Sequence, residues 1–207
     1  MDSSANGTGR VEGFWGSDKY SAGVVYLYSG TTMNVYGGTI TSTNNTAVNA
    51  KNGGVIMISS GATLNMLGGS VIGGTAADSG GAICVSGSFN MSGGAVTGGA
   101  AATGDCVFVS SNAKVKLSGN ANIEELYFGG NPAACLTISG TYTGAVTLDT
   151  KTQIASDTAI AAAANSANIS GANISVKGTD FAVGIDGSNV VATTGSWCQA
   201  CQNHICP

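Results

Sequence analysis

The residues best suited to chemistry crowd into the last eleven positions, Trp197-Cys198-Gln199-Ala200-Cys201-Gln202-Asn203-His204-Ile205-Cys206-Pro207. Three of the six cysteines and the only histidine lie there. Cys198, Cys201, His204 and Cys206 form C-x2-C-x2-H-x-C, four ligands of the kind zinc accepts. The second pair is spaced more tightly than in common zinc fingers, and no apolar mini-core accompanies it. Gln202 and Asn203 separate Cys201 from His204, so this is not a haem-attachment C-x-x-C-H. A redox C-x-x-C belongs beside a βαβ pattern, which is absent. Disulfides are the plainer reading for Cys198, Cys201 and Cys206, within the tail or to Cys84, Cys106 or Cys135. An even cysteine count suits an oxidising compartment outside the cell. A further reading treats the rest of the chain as a scaffold that presents a short cysteine-rich peptide.

Elsewhere the chemistry thins out. Cleavage of a glycosidic bond needs clustered carboxylates, or carboxylates with calcium or a basic partner. Here Asp78, Asp105, Glu124-Glu125 and Asp149 are scattered and sit mostly at turns. Cys201 and Cys206 alone have a nearby candidate base, His204, and a nucleophile needs a rigid frame that a terminal tail seldom gives. The expectation is a protein with no catalytic residues, no enzymatic activity and no cofactor.

The framework that must position any functional surface is a repeat. Gly80 to Gly99, GGAICVSGSFNMSGGAVTGG, contains two alternating runs, Ile83-Cys84-Val85 and Phe89-Asn90-Met91, then an apolar point at Val96. Alternation broken by glycine and small polar residues reads as short β-strands. The same text recurs around Val25–Gly38, Gly54–Gly69, Cys106–Gly119 and, more decayed, Cys135–Tyr142. Aligning Tyr28, Ile58, Val85, Val109 and Ile138 gives separations of 30, 27, 24 and 29 residues. A period in this range signals a solenoid, propeller or array, and about 25 residues is too short for a four-stranded propeller blade. Three short strands per repeat predict a coil of a parallel β-helix, whose loops can grow without disturbing the stack.

Alternation assigns faces. With Tyr26/Tyr28, Ile56/Ile58, Ile83/Val85, Val107/Val109 and Leu136/Ile138 inward, the residues Leu27, Met57, Cys84, Phe108 and Thr137 point outward. Val25, Val55, Ala82, Cys106 and Cys135 precede them. One outer face is therefore expected to be apolar, as in a strand covered on both sides. Either another part of the chain covers it, or it contacts another molecule; a register error is the remaining explanation. The candidate interface comprises Val25, Leu27, Met57, Val55, Cys84, Cys106 and Phe108. Cys106 and Cys135, at equivalent positions of successive repeats, would stack about 4.8 Å apart, within disulfide range. The second strand has a polar exterior of Asn34, Asn65, Asn90 and Lys116. Its asparagines either stack as an amide ladder or are solvated.

Gly80–Met91 and its copies resemble the coils of right-handed β-helix segments in large bacterial surface and adhesin-type proteins. The resemblance covers about residues 23 to 148. It implies a right-handed parallel β-helix and speaks weakly to function, since such folds host many activities.

The expected fold is all-β, a right-handed parallel β-helix (solenoid) of about five to seven coils with both ends capped. Residues 1–20 form an entry cap in which Phe14 and Trp15 plug the open end; 21–150 hold the coils. Residues 151–196 form degenerate last coils, with Thr158–Asn165 as a brief helical turn or loop and Asp186-Gly187 as the turn of a closing hairpin. Residues 197–207 are the tail. Composition agrees: 33 glycines in 207 residues is about twice the usual share, and 9% charge is far below the usual quarter or so. A net charge of −4 with scattered lysines argues against nucleic acid. No run reaches the roughly 18 apolar residues of a membrane helix. No signal peptide is visible at Met1-Asp2-Ser3-Ser4, although the surface composition reads as extracellular.

The first functional expectation is an extracellular or cell-surface structural and adhesive protein, self-associating or binding a host or cell-surface ligand through the apolar stripe. The alternative is a carbohydrate-binding or carbohydrate-cleaving β-helix, for which Trp15, Tyr26, Tyr28 and Tyr36 are the aromatic candidates. Tyr26 and Tyr28 are expected in the core.

Overall fold

The computed structural model describes residues 10–12, 23–42, 50–150, 158–164, 167–169 and 172–193. Their regular structure is nearly all β, with one short helix at Pro132–Cys135. Three rows of short strands stack in parallel, each strand pairing with its counterpart in the next repeat. The first row runs Val25–Leu27, Ile56–Ile58, Ile83–Val85 and Val107–Val109. The second runs Thr32–Val35, Thr63–Met66, Ser88–Met91, Lys114–Gly119, Leu136–Tyr142 and Thr158–Ala163. The third runs Arg10–Glu12, Thr39–Thr41, Ser70–Ile72 and Ala95–Thr97.

Rows one and three merge in the long strand Asn122–Phe128. Its start pairs with Ala95 and Val96, and its end with Val107 to Val109. In earlier repeats an excursion separates the two rows, and its strands Ala50–Asn52 and Ala76–Ser79 pair with each other. Here only Glu124-Glu125 lies between Ile123 and Leu126, so the two rows become one strand. The resulting eleven-stranded sheet curls into a half-barrel. The eight-stranded second sheet ends in the antiparallel strands Ala182–Asp186 and Asn189–Thr193. Gly187, at φ +58°, makes the tight turn between them.

The core is a stack of like on like. Ile56, Ile58, Ile83, Val85, Val107, Val109, Leu126 and Phe128 line one wall, and Leu64, Met66, Phe89, Met91, Val115 and Leu117 line the other. Each such side chain contributes about 1.5–3 kcal/mol when fully buried. Glycine is required where the excursion leaves and rejoins the stack. A Cβ on Gly54 would lie 2.5 Å from the Thr75 nitrogen.

The first repeat is out by one residue from the expected alignment. Leu27, not Tyr28, pairs with Ile58. Leu27 is therefore buried, while Tyr26 and Tyr28 are 38% and 70% exposed. A one-residue slip exchanges the faces of a strand, and leucine packs into the aliphatic stack without burying a phenol. The expected fifth copy is also reassigned. Leu136 and Ile138 pair with Val115 and Leu117 in the second row, and the first row takes Leu126 and Phe128 instead. Thr158–Ala163 is a strand, neither a helical turn nor a loop. It lies between Leu136–Tyr142 and Asn189–Thr193 with Ile160, Ala161 and Ala163 buried, and sheet pairing overrides alanine's helix preference. The proposed cap residues Phe14 and Trp15, and the whole 197–207 tail, lie outside the described residues.

Candidate functional site

The candidate site is the outer face of the second sheet. Its strands are anchored by inward side chains at alternate positions: Leu64 and Met66, Phe89 and Met91, Val115 and Leu117. The residue between each pair must then face outward. Register aligns Asn34, Asn65, Asn90 and Lys116 in one row. The three asparagines form the ladder that was one of the two sequence readings. Asn65 Nδ2 donates to Asn34 Oδ1 at 2.8 Å, and Asn90 Nδ2 donates to Asn65 Oδ1 at 2.9 Å. An amide has two donor hydrogens and two acceptor lone pairs. The ladder uses one hydrogen each of Asn65 and Asn90 and leaves the second outside it.

The ladder floors a groove of about 550 Å³ whose lining includes Asn34, Tyr36, Asn65, Leu67, Asn90 and Lys116. Tyr36 and Leu67 are 74% and 49% exposed, giving the groove an apolar shoulder at one end. Lys116 stands at the other. The strands Thr32–Val35, Thr63–Met66, Ser88–Met91, Lys114–Gly119 and Leu136–Tyr142 contain no Asp or Glu. Lys114 donates to the Ala134 carbonyl at 2.8 Å. Lys51 pairs with Asp78, and Lys177 with Glu125 and Asp149. Lys116 is exposed and, among the described residues, forms no ion pair.

The expected apolar interface is largely dismantled. Leu27, Val55 and Cys106 belong to the core. Val55 and Cys106 sit at a corner where alternation fails. The N–H groups of Val55 and Ile56 both donate to the Ala82 carbonyl, and those of Ala82 and Ile83 both donate to that of Cys106. Two consecutive residues thereby turn inward, as at a β-bulge. Val25 is half-buried in the inward row, paired with Ile56. Met57, Cys84 and Phe108 do face outward, in one row with Tyr26 and Tyr127. Cys84 is nevertheless only 3% exposed. The excursion's backbone passes against this row: a Cβ on Gly80 would fall 2.8 Å from the Cys84 nitrogen, and one on Gly104 would fall 3.1 Å from Phe108 Cβ. Met57, Phe108 and Tyr127 remain half-buried, and Phe108 and Tyr127 stack at 5.9 Å.

The predicted Cys106–Cys135 disulfide does not form; Cys84, Cys106 and Cys135 are free thiols. Cys106 belongs to the first-row corner and Cys135 ends the short helix before a second-row strand, so the two are not equivalent positions. Burial pushes the Cys84 and Cys106 thiols up to about 12, and burial also raises Cys135. These thiols are protonated and unreactive at neutral pH. Cys198, Cys201, His204 and Cys206, the disulfide and metal candidates of the tail, lie outside the described residues. No group of three or more metal-ligating side chains occurs among the described residues.

The scattered acids have structural partners. Glu124 Oε2 accepts from the Gly98 N–H at 2.6 Å, and Asp105 Oδ1 accepts from the Ala101 N–H at 3.1 Å. Lys177 donates to Glu125 at 2.7 Å and to Asp149 at 2.8 Å. The hydrogen bonds to Asp149 and Glu125 hold its ammonium above the usual lysine range. Sequence reading missed this three-strand clamp, because 52 residues separate Lys177 from Glu125. Among the described residues no helix is long and apolar enough to cross a membrane. Compared with known protein families, curated proteins and solved structures, the chain matches none.

Proposed function

We propose that the chain is a right-handed parallel β-helix (solenoid) that works outside the cell as a non-enzymatic structural and adhesive protein. Its contact surface, in this reading, is the polar face of the second sheet rather than the apolar row of the first. The observation that carries the reading is the groove over the hydrogen-bonded Asn34–Asn65–Asn90 ladder. The ladder holds three amides in fixed positions, so their remaining donors and acceptors are presented with little conformational entropy left to lose on binding. The parallel stack beneath supplies a rigid support. Structural partners for Glu124, Glu125, Asp105 and Asp149 favour a binding over a hydrolytic role.

The test is retention of labelled protein on intact cells and on immobilised extracellular polysaccharide. Tyr36→Ala and Asn65→Ala should reduce retention on both; wild-type retention by both variants would overturn the reading. A second reading, self-association, is favoured by the exposed Tyr26–Tyr28 ring pair, 4.6 Å apart, beside the half-buried Met57, Phe108 and Tyr127. Sedimentation velocity with and without reductant examines it. Assembly through this row would persist in reductant and disappear in Tyr26→Ser/Phe108→Ser; assembly through the tail cysteines would vanish in reductant.

A further inference from the structure

We infer that the groove on the second sheet takes an acidic oligosaccharide, with the sugar's carboxylate at Lys116, its hydroxyls on the asparagine ladder and a sugar ring against Tyr36. This rests on the reading of that face as the contact surface and goes further by naming the ligand's chemistry.

Three features select the class. First, the groove floor consists of amides, each able to donate and accept. A sugar hydroxyl also does both, so the pairing suits a polyhydroxylated ligand. Second, the strands beneath are paired on both sides from Thr63–Met66 through Leu136–Tyr142. Their backbone groups are occupied, so among the described strands of the groove the strand addition by which extended peptides dock on sheets is left only to the edge strand Thr32–Val35. The apolar shoulder of Tyr36 and Leu67 provides a flat exposed ring for the C–H face of a sugar instead.

Third, charge is distributed unevenly. The chain carries a net −4, yet the five strands of this face contain two lysines and no acid. Lys114 is engaged by the Ala134 carbonyl. Lys116 aligns with Asn90 at the end of the ladder and has no counter-ion among the described residues. Its compact ammonium suits a single carboxylate. One cation on a neutral floor fits a mostly neutral chain bearing one acid group. Nucleic acid, with a phosphate on every unit, calls for a basic stripe that this face lacks. Tyr36 and Lys116 are three strand steps apart across the sheet and two residues apart along it, about 16 Å in all at the usual strand spacings, which accommodates a short oligosaccharide.

The experiment is titration calorimetry of the full chain with uronic-acid-containing oligosaccharides and with the same sugars after reduction of the carboxyl to a neutral alcohol. The acid form should bind about three- to tenfold more tightly, the range of a partly exposed charge-assisted hydrogen bond. Lys116→Gln should erase that preference while leaving the circular dichroism spectrum unchanged. Tyr36→Ala should weaken both forms together. Equal affinity for the two forms, or a preference that survives Lys116→Gln, would overturn the inference while leaving the adhesive reading intact. Tighter binding of single-stranded DNA with the same Lys116 dependence would also overturn it. If no sugar binds, and cell retention is indifferent to Tyr36→Ala, both the inference and the underlying reading fail.

Discussion

Asn65 is the middle rung of the ladder, and replacing it with alanine separates a hydrogen-bonded row from a merely aligned one. Asn65 donates to Asn34 at 2.8 Å and accepts from Asn90 at 2.9 Å, so Asn65→Ala removes two hydrogen bonds. Asn34→Ala and Asn90→Ala each remove one. A typical hydrogen bond contributes a net 0.5–1.5 kcal/mol or so, and the lower half of that range suits amides with access to water. Asn65→Ala should therefore cost about 1–2 kcal/mol, and each end substitution about half as much. The intrinsic β-propensity difference between asparagine and alanine is small and common to all three substitutions, so it drops out of the comparison. Urea denaturation gives the three values, and an Asn34→Ala/Asn65→Ala double-mutant cycle isolates the first bond, with an expected coupling of about 0.5–1 kcal/mol. Equal cost at all three positions, or no coupling in the cycle, would refute the ladder as a stabilising unit.

Other perturbations follow from the same geometry. Gly54→Ala places a Cβ 2.5 Å from the Thr75 nitrogen, at a point fixed by two backbones; overpacking of this kind costs about 1–3 kcal/mol, read by the same denaturation. At the alkaline end Cys84 and Cys106, both held protonated up to about 12 by burial, contribute to the pH dependence alongside the raised Cys135, Tyr142 and Lys177. Unfolded thiols ionise near pH 8.5–9, so between about pH 9 and 12 the unfolded state has lost protons the folded state keeps. Stability then falls as pH rises, by up to about 1.4 kcal/mol per thiol per pH unit. Cys84→Ala/Cys106→Ala should flatten that limb of the curve. With native protein at pH 7, iodoacetamide should leave Cys84 and Cys106 unlabelled and label them only after denaturation; rapid native labelling would contradict their burial.

Much of the framework was legible because stacked repeats write the same alternation several times. The Ile56/Ile58, Ile83/Val85 and Val107/Val109 pairs stood out as inward positions, and the asparagines recurred between the inward residues of the second strand. Where a single residue of register decided the outcome, the text was ambiguous. Val25-Tyr26-Leu27-Tyr28 alternates equally well in either phase, and only pairing with Ile58 chooses Leu27 for the core. The corner residues Val55, Ala82 and Cys106 broke the alternation for a reason no period reveals, two N–H groups sharing one carbonyl. The merging of two rows in Asn122–Phe128 was hidden because the loss of an excursion leaves no mark except a shorter spacing. Lys116 was visible as an outward residue, but its isolation emerged only once Lys51, Lys114 and Lys177 had been seen with their partners.

The most direct measurement compares wild type, Tyr36→Ala and Phe108→Ala for retention on immobilised extracellular polysaccharide. If contact is made through the amide-floored face, as proposed, Tyr36→Ala should lose retention and Phe108→Ala should keep it. Loss with Phe108→Ala and full retention with Tyr36→Ala would contradict the account and return the contact surface to the apolar row of the first sheet.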